Sequence, residues 1–301
     1  MGEPAGQDTG ATPSTNGPSL SGPTVLRIVL GSRLRQLRLA RNITAEEAAH
    51  LIRGSQSKIS RLESGRLSFK ERDVTDLLTL YGLADPAERE ALLEMARQSN
   101  APGWWHQYSD IVPSWFHTYL GLEEAAGAIR TFETAHIPAL LQTREYADAL
   151  PTWGSREIAA DTRERLLDFT ARRQRLLQRP NAPHLWFVLD EGVLLRQVGD
   201  RETMRAQLEH LIRVTHLPNV TVQILPFAAL RLGSSPFYIL RFMEPSLPDL
   251  VFIQHLTGAL YLDRAADVDI YYTELDRLAV AAHTPKDSRK VIHTVLDGLD
   301  R

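Results

Sequence analysis

The chain has 301 residues, 43% of them hydrophobic and 24% charged, with 34 Lys or Arg against 37 Asp or Glu for a formal charge of −3. That is enough apolar material for two cores, so two domains are expected. The lack of cysteine excludes disulfides, thiolate metal sites and cysteine nucleophiles, and no segment is long and apolar enough to cross a bilayer. A cytoplasmic protein with no membrane partner is the simplest expectation.

Residues 1–23 are rich in Gly, Pro, Ser and Thr and lack both a basic start and an apolar run, which reads as a disordered tail rather than a signal peptide. A first helix follows, with Leu26, Leu30, Leu34 and Leu37 as its buried stripe and Arg35, Arg38 and Arg41 on other faces. Thr44 stands where an N-cap should, and Glu47 three residues later completes the form of a capping box. The second helix then starts at Ala45 and carries Ala48, Leu51 and Ile52 at helical spacing. Arg53-Gly54 interrupts it, Ser55 offers a second N-cap hydroxyl, and a third helix runs to about Ser64, ended by Gly65. In that helix Ile59 and Leu62 mark the buried side, so Ser57 and Arg61, roughly 160 degrees away from Ile59, face outward.

Two short helices joined by a tight turn, the second with donors on its exposed amino-terminal half, have the outline of a helix-turn-helix reader of double-stranded DNA. Arg61 suits the N7 and O6 acceptors of guanine, and the Gln56 amide suits the donor and acceptor pair of adenine. Hydroxyls and free N–H groups at helix amino ends meet phosphate, which makes Thr44 a candidate phosphate contact; Ser60, within the third helix, is another. Between Thr24 and Arg72 there are eleven Lys or Arg and four Asp or Glu, a surplus of seven, which leaves −10 for the remainder. A basic island coinciding with the helix pair is the footprint that phosphate neutralisation requires.

The stretch "SQSKISRLESG" resembles the recognition helix and following turn of Cro/C1-like, XRE-type repressors, and "LGSRLRQLRLARNIT" is similar to their first helix; the likeness spans roughly residues 27 to 70. It implies base contacts from Ser55, Gln56, Ser57 and Arg61, and phosphate contacts from Lys58 and the turn at Gly65-Arg66. The sequence departs from the pattern in having Arg53 before Gly54 where many members place Gly first, and Ala45 where a phosphate-binding Gln is common.

Further helices are expected over 69–81 and 86–98, closing an all-α domain at 24–100, with "SNAPG" as linker to a larger domain at 101–301. The run "GWWHQYSDIVPSWF" holds three of the five tryptophans. Such a cluster either lines a ligand pocket or anchors one element onto a core. Trp104, Trp105 and Tyr108, with His255, are the candidate ligand or partner pocket. Helices are expected over 114–134, 145–150, 158–178, 204–215, 265–282 and 286–296. Strands are expected over 184–189, 219–227, 236–242 and 249–256. Several strands follow one another with short connections, so the expected class is α+β with an antiparallel sheet. The helix expected over 158–178 holds "RERLLDFTARRQRLLQR", residues 163–179, six arginines interleaved with Leu166, Leu167, Phe169, Leu176 and Leu177; an amphipathic helix with leucines inward and solvated arginines outward is preferred to a second nucleic-acid contact.

"GWWHQY", "IPALLQTREYA", "LPNVTVQILPF" and "HLTGALYLD" are similar to the carboxy-terminal domain of actinobacterial WhiJ-like regulators, some described as antitoxin-like. That resemblance implies a small partner protein, of which BldB-like proteins are examples. Ala139 and Gln254 depart from it, standing where Gly and an acidic residue are common. His255 with Asp249 and Asp263, and Ser234 or Thr257 as nucleophile, invite a catalytic reading, but no G-x-S-x-G elbow supports it. Neither metal-ligand His spacing nor a P-loop is present, so no cofactor and no metal are expected. The expectation is a dimeric DNA-binding transcriptional regulator, a repressor and not an enzyme, whose second domain senses a ligand or partner; the alternative is an antitoxin-like interaction module with DNA binding secondary.

Overall fold

Five helices enclose the core at the amino end: α1 (Pro23–Ala40), α2 (Ala45–Leu51), α3 (Gln56–Glu63), α4 (Glu71–Leu80) and α5 (Pro86–Ser99). The computed structural model describes residues 22–150, 158–229, 235–244 and 247–299. The tail expected over 1–23 therefore lies outside the described residues except for Gly22 and Pro23, the latter opening α1, where its missing N–H leaves no bond unmade. Leu30, Leu34, Ile59, Leu62, Val74 and Leu77 form the core. α1 crosses α3 so closely at Gly31 that a Cβ there would sit 2.4 Å from the Leu62 carbonyl oxygen.

One expectation for α1 is corrected. Arg38 does not stand on a free face: it is buried, its guanidinium donating to both carboxylate oxygens of Glu63 at 2.5 and 2.8 Å and to the Ile43 carbonyl at 2.8 Å. Taking a guanidinium out of water costs several kcal/mol unless its donors are met. Here they are, and the pair locks α1 to the end of α3.

The second domain is built on six strands: β1 (Ala126–Glu133), β2 (His184–Asp190), β3 (Val220–Leu225), β4 (Phe237–Phe242), β5 (Leu250–His255) and β6 (Gly258–Leu262). Their spatial order is β3-β2-β1-β4-β5-β6. The class is α+β as expected, but the sheet is mixed rather than antiparallel: β1, β2 and β3 pair in parallel, and β4, β5 and β6 continue antiparallel from β1. Parallel neighbours need a long crossover. It is supplied by α7 (Arg144–Ala149) and α8 (Ala160–Gln174) between β1 and β2, and by α9 (Gly192–Leu195) and α10 (Arg201–Val214) between β2 and β3. The expected helix over 114–134 is corrected as well. It divides into α6 (Ser114–Ala125) and β1, the change coming at a bulge between Ala126 and Ala128.

Alternation along each strand sorts the side chains onto two faces. Ile129, Phe187, Val222, Leu240 and Phe252 lie with α6, α8, α10 and α12 (Pro285–Gly298). Phe132, Val188, Ile239 and Val251 lie with α11 (Ala265–Ala281). The two domains touch where α6 meets α1: a Cβ on Gly121 would collide with Thr24. Among the described residues, no helix is long and apolar enough to cross a membrane.

Candidate nucleic-acid interface and the cavity of the second domain

α2 and α3 are each capped at the start, and α3 is held by apolar contacts beneath. The Thr44 hydroxyl accepts from the Glu47 N–H at 3.1 Å while Glu47 accepts from the Thr44 N–H at 2.7 Å, the reciprocal pair read from the sequence. Those bonds to Thr44 hold the Glu47 carboxyl below the usual carboxylate range. Ser55 caps α3, accepting from the Lys58 N–H at 3.2 Å. The turn before it is formed by Arg53, which takes the left-handed conformation at φ 51°.

Ile59 and Leu62 are buried, and Ser55, Gln56, Ser57, Ser60 and Arg61 are exposed. Among the described residues the Arg61 side chain bonds only back to its own helix, its Nε donating to the Ser57 carbonyl at 3.3 Å. Three of the candidate phosphate contacts, Lys58, Thr44 and Arg66, are more committed. Lys58 donates from Nζ to Asp73 of α4 at 2.6 Å. Thr44 spends its hydroxyl on Glu47, at 2.8 Å from Oε2. Arg66 reaches the second domain, one guanidinium nitrogen lying 3.5 Å from the Tyr261 carbonyl oxygen of β6.

The tryptophan run anchors α8. Trp105 and Tyr108 are buried, the Tyr108 hydroxyl donates to Asp168, and the Trp104 ring packs with its centroid 5.7 Å from that of Phe169 and 5.1 Å from the Arg172 guanidinium. A cavity of about 860 Å³ opens elsewhere, between the sheet, α6 and α8. Trp104, Trp105 and Tyr108 are not in its wall; of the four candidate pocket residues only His255 is, exposed at the end of β5. No described hydrogen bond joins His255 to Asp249 or Asp263, and Asp249 instead accepts from the Tyr272 hydroxyl at 2.6 Å. Ser234 lies outside the described residues.

Glu133 and Arg173, which also line this cavity, were not singled out as site residues from the sequence. Glu133, at the end of β1, is buried and accepts from the Tyr238 hydroxyl of β4. Burial pushes its carboxyl up to about 7, the Tyr238 bond working the other way. Arg173 of α8 is buried too, donating to both oxygens of Glu123 at 2.7 and 2.9 Å. Its guanidinium lies 5.2 Å from the Phe116 ring centroid and 5.8 Å from those of Tyr119 and Phe169. Burial opposes that charge, but Glu123 outweighs it and holds Arg173 above its ordinary value. The reading of the 163–179 arginines as solvated is therefore corrected at Arg173. Burial, with Arg196 adding to it, pushes the His136 imidazole below its ordinary range, so it is neutral at pH 7.

Residues 29–92 match a helix-turn-helix domain, and residues 116–294, more than half the chain, match a domain of unknown function, DUF5753. The chain belongs to the DUF5753 family. No curated protein and no solved structure matches it. In this DUF5753 chain the cavity and its buried ion pair fall wholly inside the family's domain, α3 falls inside the helix-turn-helix domain, and the tryptophan pair at 104–105 belongs to neither matched stretch.

Proposed function

We propose that the chain is a cytoplasmic, non-catalytic transcriptional regulator of the XRE type. It acts as a dimer and represses by placing the amino end of α3 in the major groove. The observation that carries this reading is a contrast within one helix. Gln56, Ser57, Ser60 and Arg61 project into solvent, and none of their side chains has a partner on another element among the described residues, while Lys58 beside them is consumed by Asp73. Base edges supply the acceptors and donors those exposed groups lack. Dimerisation follows from the small area one such module buries, since two recognition helices about 34 Å apart read a palindrome together.

The second domain receives the signal, from a ligand or from the small partner protein that the WhiJ-like resemblance implies. α6 supports this reading: it brings Phe116 and Tyr119 to the cavity wall and Gly121 against Thr24 of α1, so what fills the cavity bears on the helix that packs α3. Genome-wide occupancy followed by fluorescence anisotropy on the recovered sites tests the function. Specific binding to a palindromic site is expected. Equal affinity for recovered and random duplexes would overturn it.

A further inference from the structure

We propose that the second-domain cavity binds an amine-bearing amphiphile, its ammonium group at Glu133 and its apolar body among Phe116, Tyr119, Phe169 and Phe252. The cavity's volume, about 860 Å³, falls in the range of sites for drug-sized molecules, roughly 300–1,000 Å³. Its wall is mostly aromatic and aliphatic, which asks for an apolar body.

The head group follows from matching the charges. Arg173 is neutralised by Glu123, both oxygens of which it holds. Arg163 faces Asp148 at 3.3 Å. Glu133 is left with no counter-charge: among the described residues the Tyr238 hydroxyl is its one hydrogen-bond partner, on Oε1, and Oε2 has none. A buried carboxylate with an open oxygen facing an apolar chamber is matched by an ammonium donor and by nothing anionic. Aromatic faces reinforce the choice, since their quadrupole attracts cations and repels anions. A ligand of this class would replace the missing counter-charge and fill the chamber in one step.

The proposal rests on the reading of the second domain as a receiver, but its test uses no DNA, so failure here and failure of the DNA-binding reading are distinguishable. Isothermal titration of the full chain with 1-naphthylmethylamine, 1-naphthylmethanol and 1-naphthoate varies the head group on one body. The amine is expected to bind about tenfold tighter than the alcohol or more, with the carboxylate weakest. In Glu133→Gln the amine should fall to the alcohol's affinity, the alcohol itself staying within about twofold. Tyr238→Phe, which leaves the carboxylate but removes its donor, should keep or raise the amine preference, and serves if Glu133→Gln does not fold. Equal binding of amine and alcohol, preference for the carboxylate, absence of binding by all three, or an amine preference that survives in Glu133→Gln would each overturn the assignment.

Discussion

α3 and α8 both carry arginines among apolar residues at helical spacing, yet they use them in opposite ways. Arg61 of α3 is exposed and bonds only to its own backbone, whereas Arg173 of α8 is buried, gripped by Glu123 and flanked by three aromatic rings. The difference lies in whether another element of the same chain offers a carboxylate. α6 offers Glu123 to α8, α3 offers Glu63 to Arg38 of α1, and α4 offers Asp73 to Lys58 of α3. A basic residue is available to an outside partner only after those internal pairs are subtracted. The surplus of seven charges around the helix pair therefore overstates the charge that DNA can meet.

The strongest way to break this comparison is Arg173→Met. It strands Glu123 in an apolar interior, and breaking a buried pair by removing one partner costs about 3–5 kcal/mol. Urea unfolding followed by tryptophan fluorescence should show the unfolding free energy fall by that amount, with a lower midpoint. Adding Glu123→Gln should restore a large part, since the stranded charge is then gone. An unchanged midpoint in the single variant would mean that Arg173 is as dispensable as a surface arginine.

Glu133 gives the next effect, and its sign is fixed by burial. Its carboxyl is pushed up to about 7, above its ordinary unfolded value, so the folded chain keeps a proton that the unfolded chain releases first. The stability contributed by the neutral form is complete below the unfolded value and is lost as pH rises through 7. Glu133→Gln keeps a neutral group at every pH. It should match the parent near pH 4.5 and exceed it by up to about 3 kcal/mol at pH 8, read from urea midpoints across that range.

How much of this was legible in the sequence differs between the two domains for a physical reason. Caps and local periodicity are encoded within a few residues, so the Thr44–Glu47 box, the Ser55 cap and the burial of Ile59 and Leu62 could all be read directly. β1 was hidden because "EEAAGAIRTFE" continues the alanine-rich end of α6 without a break except Gly127, the residue at the bulge. With β1 invisible, the crossover through α8 had no first strand to leave from, and the strand–helix–strand run through α10, between 184–189 and 219–227, had no parallel neighbour to join. The cavity shares that origin. Glu133 sits at the end of the missed strand, and its contact with Tyr238 spans 105 residues, a distance that no local pattern reports.

On the DNA side, Arg61→Ala sharpens the comparison. Among the described residues its guanidinium bonds only to the Ser57 carbonyl of its own helix, so the unfolding free energy should change by less than about 0.5 kcal/mol. Affinity for the specific site should fall by about 1–3 kcal/mol and sequence preference should relax. Lys58→Ala is a poor control for a phosphate contact, because it also strips Asp73 of its partner. Loss of stability without loss of sequence preference is the expected signature there.

The smallest effect is expected at Arg53, where stability and function pull apart. The turn between α2 and α3 demands a left-handed residue, and Arg53 supplies it at φ 51° although Gly54 stands beside it. A side chain in that region costs about 1 kcal/mol relative to glycine, so Arg53→Gly should stabilise the helix pair by about 0.5–1 kcal/mol in thermal or urea unfolding. Arg53 is exposed and makes no ion pair among the described residues, and it stands two residues before Ser55, the cap of α3. If its charge meets phosphate, the same variant weakens binding to all duplexes alike and lowers the salt slope by about 1. A variant that gains stability while losing salt-dependent affinity would identify Arg53 as a strained residue whose charge serves DNA. No gain in stability would show that the turn carries no strain, and the contrast between internally spent and externally offered arginines would then rest on Arg61 alone.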